Sequence, residues 1–199
     1  MKALNRIVTA LLAVAVFPVA FFADLLTVRA TASLTSYAIQ EDISIKRAIE
    51  LFTGDGMFAD VSGSLPEVLV PFKPNMIAFA VFFVLALAAA LAIIAVAVFS
   101  NGTKTVSVLS AVGIACLIAA RAAFAGIAAA VSDGSITLGT LAGSGWFDLL
   151  GKINYVSLSS APTFMMILFA AIFVWNVSFV AIGIEDKPVK GRAKNKKRR

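Results

Sequence analysis

MIAFAVFFVLALAAALAIIAVAVF, residues 76–99, runs for 24 positions without one ionisable side chain. At ~1.5 Å per residue a helix of that length exceeds the ~30 Å hydrocarbon thickness of a bilayer and leaves room for tilt. The run is therefore read as a transmembrane helix. Its surroundings extend the same reading to the whole chain, in which 60% of the 199 residues are hydrophobic and 14% charged, against about 25% charged in ordinary soluble domains. The apolar residues are gathered in a few long runs, which suits lipid as solvent and not a water-soluble core.

After residues 76–99, Ser100-Asn101-Gly102-Thr103-Lys104 is a tight turn, so the next apolar stretch should return antiparallel. The expected fold class is an all-α integral membrane protein, a four-transmembrane-helix bundle with spans at about 5–28, 76–100, 105–131 and 161–184. Two external segments, 29–75 and 132–160, separate them, and residues 185–199 form a basic tail without an apolar run. Within the first external segment, Ile45, Ala48, Ile49 and Phe52 share one helical face opposite Asp42, Lys46, Arg47 and Glu50, which predicts a short amphipathic helix over 42–52. Residues 67–70 read as at most one strand before Pro71 and Pro74. A second short helix is expected around Trp146-Phe147-Asp148-Leu149-Leu150. The first run has a second reading as a cleaved secretory signal, because Lys2 and Arg6 precede it and Ala30-Thr31-Ala32 has the small-x-small pattern; its length exceeds a typical signal core.

Seventeen lysines and arginines set the expected orientation. Lys2, Arg6, Lys104 and the eight of the tail fall on one side, while Arg29, Lys46, Arg47, Lys73 and Lys152 fall on the other and Arg121 lies within a span. By the positive-inside rule both termini are cytoplasmic, in a cell membrane that the absence of disulfides suggests is the inner membrane of a bacterium. Histidine is absent and Cys116 is the sole cysteine, which removes imidazole chemistry and intrachain disulfides. Gly143-Ser144-Gly145 outlines a serine elbow with no histidine to activate it. A catalytic site, a metal site and a cofactor are accordingly not expected, and the chain is read as a non-enzyme.

Arg121 needs a partner or water if it sits in hydrocarbon, where a guanidinium costs at least ~2.5 kcal/mol. It lies roughly 25 Å up the third span from Lys104, and Asp24 lies roughly 27 Å beyond Arg6 on the first. The agreement predicts a buried Asp24–Arg121 ion pair near the outer leaflet, either as a structural clamp or as part of an ion pathway. In the third span Ser107, Ala111, Ala115, Ala119 and Ala123 recur every fourth residue and a second row passes through Gly126, a pattern that lets helix backbones approach closely in lipid. Asn176 and Ser178 are read as polar glue between helices. Trp146, Tyr155 and Trp175 are candidate interface anchors. Lys187, Lys190, Arg192, Lys194, Lys196, Lys197, Arg198 and Arg199 match anionic lipid headgroups, whereas nothing accompanies them to read nucleic acid.

The layout resembles the general plan of claudin-like and other tetraspan membrane proteins, with a longer first external segment, a short inner turn and a shorter second segment. The paired external cysteines and tryptophan motif of claudins are missing from residues 29–75, so the resemblance is one of layout and implies no activity. The function expected from these residues is that of a membrane accessory or scaffold subunit, bound to other membrane subunits or to itself through the small-residue faces and external loops. The other reading is a small oligomeric transporter or channel built around Arg121 and Asp24.

Overall fold

The computed structural model describes residues 2–32, 38–46, 67–100, 102–137 and 151–182. The chain is mostly helical, and four of its helices are long and apolar enough to cross a membrane. These are α1 (Lys2–Phe22), α2 (Lys73–Phe99), α3 (Thr103–Ser132) and α4 (Ser160–Ala181). Each closes its backbone hydrogen bonds within the segment, which is what hydrocarbon demands of a spanning chain. Contacts run α1 to α2, α2 to α3, α3 to α4 and α4 back to α1, so α1 and α3 are diagonal to one another.

The buried positions explain that order. Thr9, Ala13, Val16 and Ala20 on α1, Phe83, Ala86, Ala90, Ile93 and Ala97 on α2, and Met165, Phe169, Ile172 and Asn176 on α4 are all buried. On α3 the series is Val106, Ser110, Gly113, Leu117, Ala120 and Phe124. Every series alternates steps of three and four, the spacing of helices packed knobs-into-holes at a shallow angle. At Gly113 α3 and α4 come close: a Cβ there would lie 2.7 Å from the ring of the fully buried Phe169, so glycine lets α4 come this near. The buried side chains of Ser110 and Asn176 are bonded locally or across the helices. The Ser110 hydroxyl donates to Val106 O at 2.8 Å, and Asn176 Nδ2 donates to Thr9 Oγ1 at 3.1 Å and to Ile172 O at 2.9 Å.

The expectation of an entirely helical chain is corrected at the end of the helices away from residue 2. The first helix does not continue to residue 28; it stops at Phe22, and β1 (Asp24–Ala32) follows at once. With β2 (Ala38–Ser44) and β3 (Gly151–Leu158) it forms an antiparallel sheet in the order β2-β1-β3. Residues 42–44, expected to start a helix, are strand, and residues 67–70, read as at most one strand, lie in a 3-10 helix, Glu67–Phe72, leading into α2. Ile45 and Lys46 are helical as expected, but the start of the 42–52 segment is taken into the sheet, because pairing with β1 extends the strand to Ser44. The rest of the 42–52 segment beyond Lys46, and the Trp146–Leu150 segment, lie outside the described residues.

Sheet register follows polarity. Leu26 and Val28 pair with Leu158 and Val156, whereas Thr27 and Arg29 pair with Ser157 and Tyr155 on the opposite face. Val156 and Ile153 pack on Ala130, Val131, Ile127 and Ile136 at the top of α3. The other face is a ladder of polar contacts: Thr27 Oγ1 to Asp42 Oδ1 at 2.5 Å, Arg29 Nε to Gln40 Oε1 at 2.9 Å, and Asn154 Nδ2 to Thr31 Oγ1. Where α3 ends, Gly134 takes φ 81°, the left-handed region that favours glycine, and the turn is held by Ile136 N–H to Ala130 O. The side chain and backbone of Ser135 hydrogen-bond to Asp133 and hold its carboxyl below the usual carboxylate range.

The sheet makes a direct test possible. In a Cys116→Ser background, Thr27→Cys with Ser157→Cys should oxidise to a disulfide, because paired strand residues stand ~4.5–5.5 Å apart. Thr27→Cys with Ile153→Cys, out of register, should not. A gel-shift or mass readout that shows no crosslink for the first pair rejects the β1–β3 pairing.

Candidate functional site

Arg121 can be placed by its neighbours. Gly113 of α3 is level with Phe169 of α4. From there Arg121 lies about eight residues, roughly 12 Å, toward the sheet, and the start of α4 at Ser160 lies about nine residues, roughly 13 Å, in the same direction. Ser159 N–H donates to Leu25 O at 2.9 Å, so α1, α4 and Arg121 all reach the same level, where spans give way to sheet. Arg121 is exposed on the outside of α3. A guanidinium there can extend along its stem to headgroups and water, which removes most of the cost of a mid-membrane charge.

Asp24 reaches this level as the depth count anticipates, but the structure does not bring the pair together. Asp24 opens β1 opposite Ser44, and among the described residues no ion pair or hydrogen bond joins it to Arg121. The reason is geometric: α1 and α3 stand diagonal, and Arg121 is turned outward.

The small-residue row of α3 is also distributed differently from the reading at every fourth residue. Ser107 is buried, Ala111 and Ala115 are exposed, and Ala119, Ala123 and Gly126 are half-buried. Four residues turn a helix about 40° past a full circle, so such a row winds from one face to another. Gly126 faces α2, where a Cβ would lie 2.5 Å from Asn75 Nδ2. The outward face is instead Val108, Ala111, Ala115, Ile118, Ala122 and Ala125, all exposed and again spaced by three and four. The other helices turn large side chains outward at corresponding places, among them Leu4, Ile7 and Leu11 on α1, Val84 and Leu91 on α2, and Phe164, Ile167 and Val174 on α4.

Of the interface anchors, Tyr155 is exposed on β3, Trp175 packs its ring against Phe179 at 5.2 Å with its indole N–H shielded and without an acceptor among the described residues, and Trp146 lies outside the described residues. The tail cations from Lys187 to Arg199 lie outside them too. Asn176 does bridge α4 to α1, and Ser178 bonds only back to Val174 O at 2.8 Å. The sequence reading missed two features at the end near residue 2: Asn5 Nδ2, which donates to Asn176 Oδ1 at 3.4 Å, and Arg6, which caps α2 by donating to Ala97 O and Val98 O. Asn5 and Thr9, spaced by four at the start of a helix that is apolar from Ala10 onward, were the signal available.

No family of known sequences, no curated protein and no solved structure matches this chain.

Arg121→Leu should change stability by no more than about 1 kcal/mol, the range of exposed charges, when unfolding is followed in mixed detergent micelles. A loss of about 3–5 kcal/mol, as when one partner of a buried pair is removed, would show that Arg121 is clamped after all.

Proposed function

We propose that this chain is a non-enzymatic accessory or scaffold subunit of a bacterial inner membrane, a four-helix bundle that docks against another membrane helix through the outward face of α3. One observation carries the reading: Val108, Ala111, Ala115, Ile118, Ala122 and Ala125 form a seam spaced by three and four that repeats the pattern of the buried seams yet is covered by nothing in the described chain. Lipid tails gain little from small side chains, whereas a second helix gains close backbone approach and dispersion contacts. Ile118 and Val108 supply larger knobs between the alanines, which fixes a register.

In this reading residues 2–6, the 100–104 turn and the basic tail face the cytoplasm, following the lysine and arginine distribution. The sheet then stands on the outer surface and presents the polar ladder of Thr27, Arg29, Gln40 and Asp42 as a further contact surface. The transporter reading is less favoured, because the buried polar residues Thr9, Ser110 and Asn176 bond to one another or to their own helices and Asp24 and Arg121 do not meet.

Gentle-detergent capture of the full chain from its native membrane, followed by size measurement and mass spectrometry, should recover a larger complex in fixed stoichiometry. Ala115→Trp should abolish that recovery while Leu91→Trp on the outward side of α2 leaves it intact. Recovery of the chain alone, or equal recovery with both variants, would reject the α3 face as the docking surface. Reporter fusions after residues 104 and 137 should report opposite sides of the membrane, cytoplasmic for the first.

A further inference from the structure

At the end of the molecule near residue 2, α1 and α2 do not close completely. A groove of about 310 Å³ runs between them, lined by Ala3, Arg6, Ile7, Ala10, Ala97 and Val98. It exists because three of its lining positions are alanine, and it extends from Ala3 to Ala10, roughly 10 Å along the helix axis. Its wall is apolar except for one group, the guanidinium of Arg6.

That guanidinium is fixed in place. Nε donates to Ala97 O at 2.7 Å and Nη2 to Val98 O, two of the last four carbonyls of α2, which have no partners within their own helix. The end of the helix dipole offsets part of the positive charge, but carbonyls are neutral and, among the described residues, no carboxylate pairs with Arg6. A net cation is thus held at the level where α2 ends at Phe99, the headgroup level if α2 spans the bilayer, with the Ile7–Ala10 part of the groove leading from it into the hydrocarbon and Ala3 on its outer side. Lys2 precedes it by one helical turn. We propose that this groove is a binding site for one anionic phospholipid, whose phosphate meets Arg6 and whose acyl chain enters along Ile7, Ala10 and Ala97. Basic pockets between spanning helices at a membrane surface have the chemistry such headgroups require, and the charge of the groove selects anionic over zwitterionic lipid. The site is distinct from the tail, and it does not depend on which protein docks at α3.

The test is native mass spectrometry of the full chain in a mild non-ionic detergent, offered equimolar dioleoyl phosphatidylglycerol and dioleoyl phosphatidylcholine. One phosphatidylglycerol should be retained in preference. Arg6→Gln should lower that preference about fivefold, the contribution of a single cation near the surface. Ala10→Leu, which fills the groove without touching Arg6, should remove the bound lipid, with circular dichroism confirming the helical content of both variants. A full-length chain with its eight tail cations changed to glutamine should retain it. The proposal is overturned if the two lipids are retained equally, if Ala10→Leu keeps the adduct, if the tail variant loses it, or if millimolar inorganic phosphate displaces it, which would mark a bare anion site.

Discussion

The backbone hydrogen bond from Ser159 to Leu25 O is the point on which the architecture turns. Below it the described chain is helical apart from its ends and the turn at 100–102, and its peptide groups bond within their own helices, as hydrocarbon requires. Above it the chain can spend the same groups on pairing between segments, and β1 does so with β2 and with β3, more than a hundred residues away. Because α1 ends and α4 begins at this bond, the change from helix to strand occurs at one level on both sides of the molecule. The taller α2–α3 hairpin then rises past it and supplies the apolar wall, Ile127, Ala130 and Val131, that the sheet needs on its inner face. A small sheet gains little stability alone, so the hairpin and the sheet require one another.

This division also decides what could be read from the residues alone. The unbroken run at 76–99 and the turn after it locate α2 and the start of α3 to within a few residues, since lipid imposes a length and forbids charges. The end of α1 was not legible. Leu25, Leu26 and Val28 prolong the apolar run beyond Asp24, and only their partners at Val156 and Leu158 show that the run belongs to two solvents and two kinds of structure. Strand pairing across such a distance leaves no local mark beyond β-branched residues, and β1 and β3 have few enough of these to pass for the end of a helix. The candidate site was legible in kind and not in arrangement. Small residues on α3, a lone arginine and a polar position at Asn176 were all visible, but which of them meet depends on the order of helices around the ring, which composition does not encode.

Arg121 shows why that order matters. A depth count that continues α1 through Asp24 places Asp24 level with Arg121, and an ion pair is the natural inference for charges assumed to be buried; but α1 ends at Phe22 and Asp24 opens β1. With α1 and α3 diagonal, the interior between them is filled by Leu117, Phe169 and Val16, each fully buried, and a charged pair would have to displace that core. Outward orientation leaves Arg121 exposed on α3 and keeps charge out of the interior. The same rotation of α3 that turns Arg121 outward also turns Ala111, Ala115, Ala122 and Ala125 outward. Gly113 against the buried ring of Phe169 fixes that rotation from the other side, because a Cβ there would meet three ring atoms within 2.9 Å. The Gly113 contact therefore sets which face of α3 is turned outward, the face on which Val108, Ala111, Ala115, Ile118, Ala122 and Ala125 are exposed.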